Sequence, residues 1–109
     1  MSRAITQDSF YFDPSPVSQD VTEGEELRLR CDVSNRHLIS FYWTFNGRAL
    51  ANTSRRYQEG SDLRIGRVDR GQDAGGFRCV AVNTSTGVAV RSAEARLNIN
   101  CKSYLCFLY

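Results

Sequence analysis

Leu27, Leu29, Cys31 and Val33 alternate with Arg28, Arg30 and Asp32. This is the period-two pattern of a strand with one face buried and one in water. The alternation recurs down the chain. Phe41, Trp43 and Phe45 are expected inward over 41–45, Leu63 and Ile65 over the strand after 59–61, and Val68 in the corner that follows. Phe77, Cys79 and Ala81 are expected inward over 76–82, and Ala95, Leu97 and Ile99 at the end of a strand running 88–99. Phe10-Tyr11-Phe12 opens an edge strand that Asp13-Pro14-Ser15-Pro16 interrupts, because proline has no donor for a ladder. Residues 17–21 resume it. Arg55-Arg56-Tyr57-Gln58 suits a further short strand. Glu23-Gly24-Glu25, Asn46-Gly47, Glu59-Gly60-Ser61 and 83–87 carry turn chemistry, with Asn-Gly able to take positive φ at both positions. No segment shows a 3.6-residue period, so the chain reads as all-β.

A length of 109 residues with 41% hydrophobic and 24% charged positions predicts one small globular domain. The expected organisation is a flexible segment at 1–9, a domain at 10–100 and an apolar, non-native tail at 101–109. The first eight residues show no apolar signal-peptide core, and no run approaches the roughly 18 apolar residues of a membrane span. The chain is therefore read as a fragment of a larger protein, with no direct membrane insertion by this segment. The net charge of +2 does not suggest nucleic-acid binding, although thirteen of the fourteen basic residues are arginine.

Candidate chemistry is sparse. His37 stands alone in the polar connection 34–40 and reads as a solvated loop histidine. Asp69 and Asp73 do not read as a catalytic pair, and Gly75-Gly76 is not a phosphate loop. Cys101 and Cys106 lack the ligand spacing of a zinc site; a bond between them remains the alternative to an unused tail. No enzyme activity, cofactor or metal is expected.

A lone tryptophan, Trp43, follows Cys31 by 12 positions, and Cys79 follows Cys31 by 48. With Asp73-x-Gly75-x-Phe77-x-Cys79, Leu63-x-Ile65-x-x-Val68 and Ala95-x-Leu97-x-Ile99, the chain resembles the immunoglobulin superfamily, specifically its intermediate (I-set) type. The resemblance implies a Greek-key β-sandwich of two packed antiparallel sheets, a Cys31–Cys79 disulfide between them and Trp43 against the sulfurs. It makes Leu29, Leu63, Ile65, Phe77 and Leu97 core residues. It gives Asp73 and Gly75 a structural role at the turn, with Asp73 paired to Arg55 or Arg56. Phe77 departs from the usual tyrosine, so the hydroxyl bond of that corner is missing, at about 1 kcal/mol. A disulfide needs an oxidising compartment.

A narrower resemblance rests on Phe41-Tyr42-Trp43, Asn46-Gly47-Arg48, the run 55–63, the run 68–75 and Arg91-Ser92-Ala93-Glu94-Ala95. These look like an N-terminal extracellular domain of the protein tyrosine kinase seven receptor family. That family implies a non-catalytic binding and adhesion module on the outer side of the plasma membrane, within a pseudokinase receptor linked to Wnt and planar cell polarity signalling. The alternative is a structural spacer in a secreted or muscle protein of many such domains. Other protein domains are the expected partners.

Three sets of surface residues follow from this layout. Arg28, Arg30 and Arg64, joined by Arg56, form an expected basic stripe for an acidic partner such as sulfated glycosaminoglycan, since the arginine fork matches sulfate and carboxylate. Tyr42, Val80 and Val82 form an expected apolar patch on the opposite sheet. Asn52 and Asn83 open Asn-Thr-Ser glycosylation tripeptides in expected loops.

Overall fold

The computed structural model describes residues 10–102. The expectations for 1–9, for 103–109 and for Cys106 lie outside the described residues. Two sheets face each other. The larger contains β1 (Gln19–Thr22), β3 (Ile39–Phe45), β4 (Arg48–Ala49), β7 (Gly76–Asn83), β8 (Ala89–Arg91) and β9 (Ala95–Asn100). Its order is β1-β9-β7-β3-β4, with β8 also on β7. The smaller contains β2 (Leu27–Leu29), β5 (Arg56–Glu59) and β6 (Asp62–Ile65), ordered β2-β6-β5.

The core is the inward half of each alternation. Leu27, Leu29, Cys31, Leu63 and Ile65 from the smaller sheet meet Trp43, Phe77, Cys79, Ala95, Leu97 and Ile99 from the larger, with Val21 and Val68 closing the lower end. Cys31 and Cys79 are bonded across the layers, and Trp43 is the register partner of Cys79. The indole could not be buried with its N–H unpaired. It donates to the Ser61 carbonyl at 3.0 Å.

Several elements depart from the sequence expectation, each for a visible reason. The strand expected over 27–33 leaves the β2 ladder after Leu29. Beyond it the Asp62 carboxylate accepts the Cys31 N–H at 2.9 Å, and the Ser61 hydroxyl donates to the Cys31 carbonyl, so side chains replace backbone partners. The first strand divides at its prolines: Phe12 forms an isolated bridge with Val33, beyond the end of β2, while β1 lies beside β9 of the larger sheet. It arrives parallel to β9, so the larger sheet is not purely antiparallel. The strand expected over 88–99 is two strands. Val80 pairs Arg91 but Phe77 pairs Ala95, which leaves one extra residue on the outer strand, a β-bulge. Ser92, buried, keeps the β8 register opposite Cys79, its N–H donating to the Cys79 carbonyl and its hydroxyl accepting the Cys79 N–H, so the extra residue falls within 93–94. A single helical turn, α1 (Arg70–Asp73), was not expected; four residues are too few to show a period.

Candidate functional site

The lower corner of the sandwich is built around Asp73, which is fully buried. Asp69 caps α1, its side chain accepting the Gly71 N–H at 3.1 Å and the Gln72 amide at 2.6 Å. These bonds, the backbone one first, hold the Asp69 carboxyl below the usual carboxylate range. The turn aims Asp73 back under β5. There its carboxylate accepts from Arg55 at 2.6 and 3.0 Å, from Arg56 at 2.8 Å and from the Asp69 N–H at 2.7 Å. The Asp73 hydrogen bond raises the Arg55 pKa, with partial burial opposing it. Four donors from within the domain thus converge on the buried Asp73 carboxylate. Both arginines reach it, where the sequence left a choice between them.

Gly75 adjoins this corner. A Cβ there would stand 2.6 Å from Phe45 Cε1 and 2.7 Å from Asn46 Oδ1. The glycine is needed for close approach of the Phe45 ring, not for an unusual φ. Asn46 and Gly47 do take positive φ, at 51° and 85°, and turn β3 into β4.

The basic stripe is not a free cationic surface. Arg28 pairs with Glu59 at 3.0 Å and Asp62 at 3.1 Å, Arg30 with Asp62 at 3.4 Å, and Arg64 with Glu59 at 3.0 Å and Glu26 at 3.9 Å. Arg56 is not on that face. Its guanidinium turns inward to Asp73 and lies 5.0 Å from the Phe45 ring centroid. The acidic partners were readable in part: Asp62 alternates outward beside Leu63, directly after the turn that places Glu59 across from it.

The apolar patch also needs correction. Val80 points away from the core cluster but is only 1% exposed, flanked in its row by Tyr42 on β3 and Arg91 on β8. Tyr42 is 41% exposed and Val82 is half-buried, while exposed Val90, not singled out from the sequence, is the register partner of Ala81 and so lies on the reverse side of the sheet from Tyr42. The glycosylation asparagines separate as well. Asn52 is exposed after β4, whereas Asn83 is the buried last residue of β7 and not a loop residue. His37 is exposed. Among the described residues no group of three or more His, Cys, Asp or Glu is placed to hold a metal ion, and no helix is long and apolar enough to cross a membrane. Cys101 is half-buried, 2.8 Å from an Arg70 guanidinium nitrogen.

Comparison with known proteins places this geometry. Residues 11–83 match the family model described as immunoglobulin domain. The chain is 42% identical over 93 residues to inactive tyrosine-protein kinase 7 of Gallus gallus and 42% identical over 94 residues to that of Homo sapiens. It is 32% identical over 100 residues to the tyrosine-protein kinase-like otk of Drosophila melanogaster. These matches cover 85%, 86% and 91% of this chain but only 9%, 9% and 10% of the relatives, so the chain spans about a tenth of their length. Among solved structures, the N-terminal Ig1-2 module of the Drosophila receptor protein tyrosine phosphatase DLAR superposes with a TM-score of 0.72 at 29% identity, covering 87% of this chain and 50% of that one. Titin fragment I67–I69 superposes at 0.72 and 25% identity, covering 84% of this chain and 32% of that one.

Proposed function

The chain belongs to the immunoglobulin domain family, is related to inactive tyrosine-protein kinase 7, and is non-catalytic; from that premise we propose that it is a recognition module in the extracellular part of a larger receptor of that kind. Its partners are other protein domains, and the adhesion and signalling roles of the receptor family are taken to apply to the parent protein. Tyr42 on the β3–β7–β8 face is the proposed centre of contact.

The observation that carries this reading is the difference between the two outer faces. On the β2–β6–β5 face the arginines are already matched by Glu26, Glu59 and Asp62. A partner there must displace those carboxylates before gaining any contact. On the other face Tyr42 stands 41% exposed beside half-buried Val82, and neither side chain carries a charge that must be stripped of water. Burying apolar surface contributes about 25 cal/mol per Å², and a tyrosine is a common interface anchor. The same comparison makes sulfated glycosaminoglycan the weaker partner, since it must compete for paired guanidinium groups.

Surface plasmon resonance against the recombinant extracellular domains of a tyrosine-kinase-7 relative tests the proposal. Tyr42→Glu is expected to abolish binding, and Arg30→Gln to leave it unchanged. Full binding by Tyr42→Glu would overturn the assignment of the face. A triple Arg28→Gln, Arg30→Gln, Arg64→Gln variant is expected to elute from heparin as the parent does.

A further inference from the structure

We propose that Asn52 is the N-glycan attachment site of this domain and that Asn83, in an identical Asn-Thr-Ser tripeptide, is not. The inference rests on the reading above only for the export that brings the natural chain to the glycosylation machinery. Sequence does not separate the two tripeptides. Their surroundings do.

Asn52 lies in the exposed run 51–54 between β4 and β5. Its Oδ1 accepts the Gln58 N–H at 2.9 Å, which fixes the carboxamide by its oxygen. Thr53 holds the loop from the middle of the tripeptide: its hydroxyl accepts the Arg56 N–H at 3.0 Å, and its own N–H donates to the Arg56 carbonyl at 2.8 Å. Ser54, the residue whose hydroxyl completes the acceptor tripeptide, is exposed. An oligosaccharide on this side chain projects into solvent without disturbing any contact of the core.

Asn83 follows the inward alternation of Phe77, Cys79 and Ala81 and is 8% exposed. Its Oδ1 accepts the N–H groups of Ser85 at 2.8 Å and Thr86 at 3.1 Å, and its carbonyl accepts the Gly87 N–H at 2.7 Å. The side chain thus builds the β7–β8 turn from beneath. A saccharide on Nδ2 would crowd a side chain that is 8% exposed and tied through its oxygen to the turn. Crowding of a glycan against this turn disfavours chains modified there in folded, exported material.

The donor is a lipid-diphosphate-linked oligosaccharide. Asn52 Nδ2 forms a bond to sugar C1 as the C1–O bond to the diphosphate breaks. The lipid diphosphate leaves with the electron pair, and one amide proton passes to the transferase. The attached glycan stands beside β4, one edge of the larger sheet, and leaves the β8 edge open on the other side.

The test is expression of the full chain behind a supplied secretion leader in mammalian cells. Enzymatic removal of N-glycans converts each modified asparagine to aspartate, which peptide mass spectrometry locates. Secreted protein is expected to carry aspartate at 52 and asparagine at 83. Ser54→Ala, which leaves Asn52 in place, should remove the single glycan-dependent gel shift, and Ser85→Ala should not change it. An unmodified Asn52, or a modified Asn83 in secreted protein, would overturn the assignment. Because the leader is supplied, these outcomes are independent of whether the Tyr42 face binds a receptor domain.

Discussion

Arg55 grips Asp73 with both ends of its guanidinium, Nη1 to Oδ2 at 2.6 Å and Nη2 to Oδ1 at 3.0 Å. A two-point fork of this kind fixes orientation as well as distance. Because Asp73 ends α1 and Arg55 precedes β5, the pair ties the connection after β6 to the start of the neighbouring strand. Arg55 also donates to the Arg67 carbonyl at 3.0 Å, so the clamp reaches across the turn from both sides.

Asp73→Ala is expected to destabilise the domain by about 3 kcal/mol. The carboxylate is fully buried, and its loss would leave two largely covered guanidinium groups without their counter-charge. The urea midpoint of secreted protein measures this. A change within experimental scatter would mean that water replaces the carboxylate without loss.

The disulfide gives a second stability prediction. Cys31 and Cys79 enclose a separation of 48 residues. In the chain-entropy account, a loop of that length constrains the unfolded state by about 4 kcal/mol. Paired Cys31→Ala and Cys79→Ala substitutions should lower stability by that order. Secretion yield should fall with it, since small domains hold only about 5–15 kcal/mol in all.

Core and corner differ in how far they could be read from the chain. Leu29, Leu63, Ile65 and Leu97 are inward because a strand's side chains alternate, and alternation is written in the sequence. The burial of Val80 is not, because it depends on strands β3 and β8 flanking it, with Tyr42 and Arg91 in its row. The failed basic stripe has the same origin: Arg28 and Arg64 do face outward, but their acidic partners come from residues brought opposite by register. The bulge after Ser92 shifts register by one residue, and nothing local in the sequence marks it.

Acid should weaken the corner through Asp69. Its folded-state carboxyl titrates below the ordinary range because the Gly71 N–H and the Gln72 amide favour the charged form. A depressed folded pKa contributes stability that is fully present above the unfolded value and is lost as pH falls through the folded one. Stability is therefore expected to be insensitive to this group at neutral pH and to decline below about pH 4. Asp69→Asn keeps an acceptor for the Gly71 N–H but cannot titrate. Its urea midpoint should fall less steeply over that acid range than the parent's.

Gly75→Ala should cost about 1–3 kcal/mol, the range for forcing atoms into a packed site. The cost is steric, since the new methyl would meet the Phe45 ring edge and the Asn46 carboxamide that accepts the Gly76 N–H at 2.9 Å. A double-mutant cycle with Phe45→Leu isolates the cause. Coupling that recovers part of the loss assigns it to the ring; simple additivity would place it elsewhere in the turn.

Arg56→Lys separates charge from shape at the same corner. The Arg56 guanidinium does three things together. It donates to Asp73 at 2.8 Å and to the Gln72 carbonyl at 3.1 Å, both through Nη1, and its plane lies 5.0 Å from the Phe45 centroid and 5.9 Å from that of Phe77. Those two rings are themselves in contact at 4.7 Å, so the cation rests on the aromatic part of the core. Lysine keeps the positive charge but presents a point, with no flat group to lie against the rings. If charge alone matters, Arg56→Lys will match the parent. If stacking contributes, the variant should lose about 1 kcal/mol, within the range for a partly covered cation over an aromatic face. The comparison that decides is Arg56→Lys in the Phe45→Leu background, where the ring under the cation is gone. There the lysine penalty should shrink, and an undiminished penalty would assign the loss to the Gln72 carbonyl bond instead.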